Sequence, residues 1–484
     1  MNLNSYTDNK QTIIPENWIL IKLGNCVEVL DSKRIPVNTD EREKRNQGKS
    51  PSELFPYYGA TGQVGLIDGY LFDEELVLLG EDGAPFYEPT KHKAYMIKGK
   101  SWANNHAHVL KAIEGLTLNS FVCNYLNTFD YHGYVTGTTR HKLNQAPMRK
   151  IPIPLPPLTE QHRIVAKIEE LFTKLDAGVE ALKKIKTELK RYRQSVLKSA
   201  FEGKLTEEWR EKNKDKLELA SVLLEKIKEE RKKKLDKKYK ELLLVNTAIL
   251  PKLPVSWLWF RLEYLFDWLN GKGLTKKSMK FGDYLVYGGN GITGMHNEWL
   301  SDKEAIVIGR VGAHCGNVNL AKPKSWITDN AIYSSWYSEY IYLKFYAYFL
   351  ADMKLNRLSG GSGQPYVSQI ILNSLTVTLL PISEQYKIVE EIERRFSVAD
   401  AIEKTVEQSL KQAERLRQSI LKIAFEGKLV KQDPTDEPAE KLLARTKAKK
   451  EKQISERPSI KERFPKSPKS NRASTKGVRI KYVK

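Results

Sequence analysis

Few residues in this 484-residue chain have types and spacings that could carry chemistry. Gly289, Gly291 and Gly294 satisfy GxGxxG, the pattern that lets a backbone approach a dinucleotide or S-adenosylmethionine. Two features count against that use. The parallel stretch YYGATGQVG has Ala60 where GGNGITG has Gly289, and no apolar strand–turn–helix context surrounds it. A structural turn is the expectation. Gly203-Lys204 and Gly427-Lys428 lack the upstream glycine and the hydroxyl residue of a phosphate loop. His106-Ala-His108 would put two imidazoles on one strand face, but no further ligands sit at metal spacing. No GxSxG, HExxH, carboxylate pair suited to catalysis or Asn-Pro-Pro-aromatic tetrapeptide for holding a flipped base occurs. No catalytic residue and no metal ligand is assigned, and the chain is not expected to be an enzyme by itself.

Loop positions offer a different chemistry. Lys33, Arg34, Tyr58, Thr61, Lys91, His92, Arg140, His141 and Lys142 punctuate the first third of the chain. Lys272, Lys276, Lys277, Asn290, Arg310, His314, Gln364 and Tyr366 punctuate a later stretch. Arg or Lys can reach guanine O6/N7, and Asn or Gln can pair with adenine N6/N7. Taken singly, each is an ordinary loop residue. The base-contact reading rests on the set and on its being presented twice.

The elements that must position these loops are written twice. EQHRIVAKIEELFTKLDA…RQSVLKSAFEGKL (Glu160 to Leu205) returns without a gap as EQYKIVEEIERRFSVADA…RQSILKIAFEGKL (Glu384 to Leu429). Ile168, Leu175, Leu182, Leu189 and Val196 recur every seven residues, and Ile392, Ala399, Val406, Ala413 and Ile420 keep the register. Leu171, Phe172, Ile185 and Tyr192 fill intervening positions. A sustained seven-residue period predicts a coiled-coil seam. Thr159 and Ser383 are the expected N-caps after proline-rich entries. PENW (Pro15 to Trp18) parallels PVSW (Pro254 to Trp257), and the apolar run ELVLLGEDG parallels AIVIGRVG. Trp102 and Trp326 open the next shared stretch. Short apolar runs between glycine turns predict mixed α/β (α+β) heads. The division is residues 1–158, first head; 159–205, first helix; 206–253, charged helical linker; 254–382, second head; 383–429, second helix; and 430–484, a helical segment with a basic tail expected to be disordered.

Composition sharpens this picture. The formal charge is +21, but residues 1–158 hold 17 basic and 17 acidic side chains, whereas residues 445–484 hold 15 and 3. Basicity therefore marks a tail more than the heads. No apolar run approaches the ~18 residues of a membrane span. The opening MNLNSYTDNKQTIIPENW lacks the layout of a secretory signal. Three scattered cysteines without a CxxC suit reduced thiols and a cytoplasmic setting.

Two divergent heads, each followed by a near-identical PLPPLTEQ…IEELF…RQSVLKSAFEGKL helix, resemble the specificity subunit of type I restriction–modification enzymes. The resemblance runs to about residue 445; the second copy has LLPISEQ for PLPPLTEQ, and the basic tail lies outside the pattern. It implies a pseudo-twofold chain in which the two helices pair as an antiparallel coiled coil. Each head would read one half of an asymmetric, split target on double-stranded DNA. The helices would set the spacing and dock two methyltransferase subunits, and motor/nuclease subunits would complete the complex. S-adenosylmethionine, ATP and Mg would sit on those partners, with no cofactor on this chain. A scaffold whose heads bind proteins, and a self-sufficient restriction or methylating enzyme, are the alternatives. Footprinting separates the first and a methyl-transfer assay on the isolated chain the second.

Overall fold

The computed structural model describes residues 14–239, 241, 245–358 and 365–455. Gln364 and the basic tail beyond 455 lie outside the described residues. The chain divides into two compact units, Met1–Val179 with Leu410–Lys484, and Glu180–Ser409.

The first head runs β1 (Ile19–Lys22), β2 (Val27–Val29), α1 (Thr39–Asn46), β3 (Phe55–Gly59), β4 (Gly62–Ile67), β5 (Phe72–Asp73) and β6 (Leu76–Gly80). It continues with β7 (Ala94–Ile97), β8 (Lys100–Ala103), β9 (Ala107–Ala112), α2 (Asn119–Leu126), α3 (Gln145–Arg149) and β10 (Pro152–Leu155). The long helix α4 (Leu158–Phe201) and the short α5 (Glu207–Lys212) and α6 (Ala220–Leu235) follow. The second head runs β11 (Leu258–Arg261), β12 (Phe266–Asn270), β13 (Tyr284–Gly288), β14 (Gly291–His296), β15 (Ala305–Gly309) and β16 (Val318–Ala321). Then come β17 (Trp326–Ile327), β18 (Ala331–Tyr337), α7 (Leu343–Asp352), α8 (Gln369–Asn373), β19 (Thr376–Leu379), α9 (Ile382–Phe425) and α10 (Ala439–Ser455).

Both heads follow one plan. The sheet β2-β9-β6-β7 in the first corresponds to β12-β18-β15-β16 in the second, and β4-β3-β8-β5 to β14-β13-β17. A two-stranded ribbon closes each head, β1-β10 or β11-β19. The apolar runs LVLLG and AIVIG become β6 and β15, buried along their whole length, as expected of short glycine-bounded runs in a core. Trp102 and Trp326 occupy the same place, on strands lying parallel to β3 and β13. The GxGxxG stretch is the β13–β14 hairpin: Gly288 pairs with Gly291 across a turn that holds Gly289 and Asn290. Gly59 and Gly62 close the matching turn in the first head. Each turn has a glycine at positive φ, 138° at Gly62 and 91° at Gly291, which a side chain would strain.

The two long helices are 44 residues each, or about 66 Å. All ten seam positions are buried or half-buried, from Ile168 and Ile392 at 1% and 0% exposure to the half-buried Leu175, Leu182 and Ala413. Ile185 and Tyr192 lie off the seam, about 40% exposed. Ion pairs fix the direction. Within one unit Arg417 holds Asp176. Within the other, Arg193 holds Asp400 and Glu403 at 2.6 and 2.9 Å, and Lys186 holds Glu407 at 2.8 Å. Numbers rise along α4 as they fall along α9, so the helices are antiparallel. The Asp176–Arg417 and Arg193–Asp400 pairs are one contact written twice by the repeat.

The helix ends differ from the sequence expectation. Thr159 and Ser383 sit one residue inside the helices and do not cap them. Thr159 instead donates its hydroxyl to Asp436 at 2.5 Å. The far ends explain the two glycine–lysine pairs. Gly203 and Gly427 have φ of 75° and 72°, the left-handed C-terminal turn of a helix. A Cβ there would meet Pro254 at 2.5 Å and Pro15 at 2.3 Å, so each glycine also lets a head's entry pack against a helix end.

Candidate nucleic-acid interface

Each unit builds its site on the same joint. In one unit Trp18 donates its indole N–H to Glu160 at 3.0 Å, and Gln432 donates to the same carboxylate at 2.6 Å. In the other, Trp257, Thr206 and Arg210 donate to Glu384, each at 2.8 Å. Both carboxylates are 0% exposed. The start of one long helix, the end of the other and the entry of a head thus close on one buried acid. Burial pushes the Glu160 carboxyl above its usual range, against the hydrogen bonds from Trp18 and Gln432. Gln161 and Gln385 lock the next turn, donating to the carbonyls of Leu116 and Pro156 and of Leu380.

Loops between the strands of each head carry the candidate base-contacting residues. In the first head, Arg34, Arg140 and Lys142 converge on Glu81 and Asp82. Arg34 donates to Glu81 and to the Ala107 carbonyl, both at 2.7 Å, with a side chain only 13% exposed. It is an internal strut and is withdrawn from the base-reading set. Arg140 pairs with Asp82 at 2.7 Å, and Lys142 lies 3.6 Å from Glu81. His141 packs edge-on against Tyr87, 4.6 Å between centroids, and Tyr87 stacks on His132 at 4.4 Å. Thr61 is exposed in the β3–β4 turn, whose Ala60 carbonyl lies 3.0 Å from where a Cβ on Gly80 would stand. Lys33 is exposed; Lys91 is exposed but paired with Glu88 at 2.7 Å. His92 is exposed, its pKa lowered by desolvation and by the charges of Arg417 and Lys93. Tyr58 is half-buried against Tyr95, 5.9 Å between centroids.

His106 and His108 do not share a strand face. His106 lies in the turn before β9, and His108 is buried on the strand, bonded to Asp31 at 2.7 Å and the Leu143 carbonyl at 2.8 Å. With Glu81 these two form a compact His/Asp/Glu group. Arg34 already supplies its positive charge and both imidazole nitrogens are spent on hydrogen bonds, so the group fits a salt-bridge network better than a cation. Burial would raise the Asp31 carboxyl, but bonds from His108, Val109 N–H and Gln145 and the imidazole charge outweigh it and hold it below the ordinary aspartate range. A depressed carboxyl contributes stability above its unfolded pKa of about 4 that is lost as pH falls through the folded value. Asp31→Asn is therefore expected to destabilise the chain at pH 7 and to lose part of that deficit relative to wild type near pH 3. Denaturant midpoints at the two pH values check this; an equal deficit at both would refute the assignment.

The second head's rim is built differently. Asn290 accepts from Asn317 at 3.4 Å, and His314 and Arg310 flank them, all exposed. Tyr366 bridges to Val311 and is 44% exposed. Lys272 is fixed at its backbone, donating to Ile327 at 2.9 Å and accepting from the Trp326 indole at 3.1 Å. Lys276 and Lys277 lie in the Thr275–Ser278 turn. Among the described residues no carboxylate pairs with Arg310, Lys272, Lys276 or Lys277. Asn317 and Asn330 join this rim and Tyr87 and His132 the first, none of them singled out in the sequence. The signal was there in NVNL and TDNA, polar breaks between buried runs.

The comparisons with known proteins agree with this geometry. A family model described as the type I restriction modification DNA specificity domain matches residues 15–191 and again 254–412. The specificity subunit of the type I restriction enzyme EcoDI of Escherichia coli is 25% identical over 446 residues, covering 88% of this chain and 91% of that protein. A putative type I specificity subunit of Haemophilus influenzae, S.HindORF215P, is 34% identical over 149 residues, 31% of this chain and about a third (36%) of that relative. A solved chain from work on complex assembly and conformational transition of the type I restriction–modification system shares the fold, with a TM-score of 0.55 at 16% identity, covering 86% of this chain and 99% of that one. The chain belongs to the type I restriction–modification DNA specificity family. Among the described residues no helix is long and apolar enough to cross a membrane.

Proposed function

We propose that this chain reads an asymmetric, two-part DNA target, one half with each head, and leaves methyl transfer and cleavage to partner subunits. The observation that carries this reading is the contrast between a scaffold whose Trp–carboxylate joint and Asp–Arg helix pair recur in both units and two rims that share a backbone plan but differ in side chains. Two methyltransferase subunits would dock on the paired helices, motor/nuclease subunits would complete the complex, and S-adenosylmethionine, ATP and Mg would be held by those partners. The setting would be the cytoplasm. In the first head the cations largely face internal carboxylates, so shape and base-edge contacts must contribute more than bulk charge.

The continuous helices give this reading a length test. Seven residues added to α4 and seven at the facing position of α9 preserve the seam register and lengthen each helix by about 10 Å. At roughly 34 Å per ten base pairs, the unread spacer between half-sites is expected to grow by about 3 base pairs. Sequencing the methylated motif in a host that carries the chain with its methyltransferase reads this directly. An unchanged spacer would remove the ruler role, and the absence of any methylated motif for the wild-type chain would remove the DNA reading itself.

A further inference from the structure

The ends of β6 and β15 offer one backbone seat that the two heads fill with opposite charges. In the first head Glu81 N–H donates to the His106 carbonyl and Glu81 O accepts from Leu143 N–H, both at 2.8 Å. In the second, Arg310 N–H donates to the Asn330 carbonyl at 2.8 Å and Arg310 O accepts from Val367 N–H at 2.9 Å. The seat is therefore the same and the side chain is inverted. Glu81 turns inward to Arg34 with 15% of its side chain exposed. Arg310 is exposed and has no carboxylate partner among the described residues.

The second head also stiffens this seat. Gly309 N–H donates to the Asn317 carbonyl and Gly316 N–H donates to the Gly309 carbonyl, both at 2.8 Å, folding residues 310–316 into a tight crown. A Cβ on Gly309 would lie 2.1 Å from the His314 carbonyl, so the crown requires glycine there. The Cys315 thiol caps the Arg310 carbonyl at 3.6 Å. A guanidinium that only grips a phosphate needs no such frame. One that must meet O6 and N7 of a single base gains from a backbone fixed before binding, because less freedom is lost on contact. Asn290 and Asn317, side by side at the same rim, supply amides suited to a neighbouring base. Lys272, Lys276 and Lys277 are point charges suited to phosphates.

We infer that Arg310 reads a guanine in the half-site of the second head, and that the first head reads its half without a guanidinium at this seat. The inference rests on the DNA-reading role proposed above and names one base and one residue within it.

The test uses the chain assembled with its methyltransferase subunits, after the methylated motif has been mapped. Wild type, Arg310→Ala and Arg310→Lys are titrated with duplexes in which each base pair of the half-site is replaced in turn. One G·C pair is expected whose replacement weakens wild-type binding roughly 5- to 150-fold and leaves both variants nearly indifferent, with every other position unaffected. Arg310→Lys keeps the charge and loses the two-pronged geometry, so it should retain nonspecific affinity while losing that discrimination. The inference is overturned if both variants keep the wild-type penalty at every base pair and only weaken uniformly, with a salt slope lower by about 1 in Arg310→Ala, as for a phosphate contact. It is equally overturned by a second-head half-site without G·C, or by folded variants that bind no duplex, since one base contact cannot carry that much. A wild-type complex with no sequence preference would instead remove the DNA reading.

Discussion

Exchanging the first head for that of another family member is expected to change one half of the recognised sequence completely and leave the other half as it was. The physical basis is that each head has its own core. The first packs around Leu23, Val77, Leu110, Phe121 and Ile153, and the second around Leu262, Phe266, Ile306, Ile332 and Phe345. The boundary is not at the heads alone, however. Phe425, from the end of α9, packs edge-on against Phe121 at 5.2 Å and Tyr125 at 5.1 Å, and Trp18 reaches Glu160. A graft must therefore keep Pro15, Trp18 and aromatic residues at 121 and 125, or the helix end loses its seat at a cost of about 3–5 kcal/mol. With those kept, preference for the old half-site over the new should fall by at least about a thousandfold, the lower range of specific over nonspecific binding. The methylated motif of the host reports it. A change in both halves, or in neither, would show that the heads do not read independently.

The second large effect separates two carboxylates that the repeat makes equivalent. Glu384→Gln is expected to cost about 3 kcal/mol, and Glu160→Gln about 1 kcal/mol. Glu384 is the counter-charge of Arg210, whose side chain is only 16% exposed, and it also accepts from Trp257 and Thr206. An amide there strands a guanidinium in a largely dry joint and turns an N–H toward the indole donor. Glu160 meets Trp18 and Gln432, both neutral, and burial already raises its carboxyl. Neutralising it removes a hydrogen bond but no ion pair. Denaturant midpoints of the two full-length variants give the order. Equal losses would mean that Arg210 finds its compensation elsewhere.

Much of the scaffold was legible because it is local. The seven-residue recurrence from Ile168 to Val196 identifies a helix and its buried stripe, since residues seven apart lie on one face whatever else the chain does. LVLLG and AIVIG announce core strands for the same reason, and Gly59–Gly62 and Gly288–Gly291 announce hairpin turns. The site was less legible. Arg34 and Arg310 are both exposed-looking cations in polar loops; one is a strut under Glu81 and the other stands free among the described residues. Nothing within ten residues of Arg34 reveals that Glu81 and Ala107 will be its partners.

What the sequence by itself determined was the repeat, the extent of the two long helices and the stripe by which they pair, because each is set by spacing along one segment. The tertiary structure alone decided where the helix ends go. Glu160 meets Trp18 across 142 positions, and Glu384 meets Thr206 across 178. It also decided that Glu81 and Arg310 occupy one seat. Contacts across such separations depend on the packing of whole cores, and no local periodicity records them.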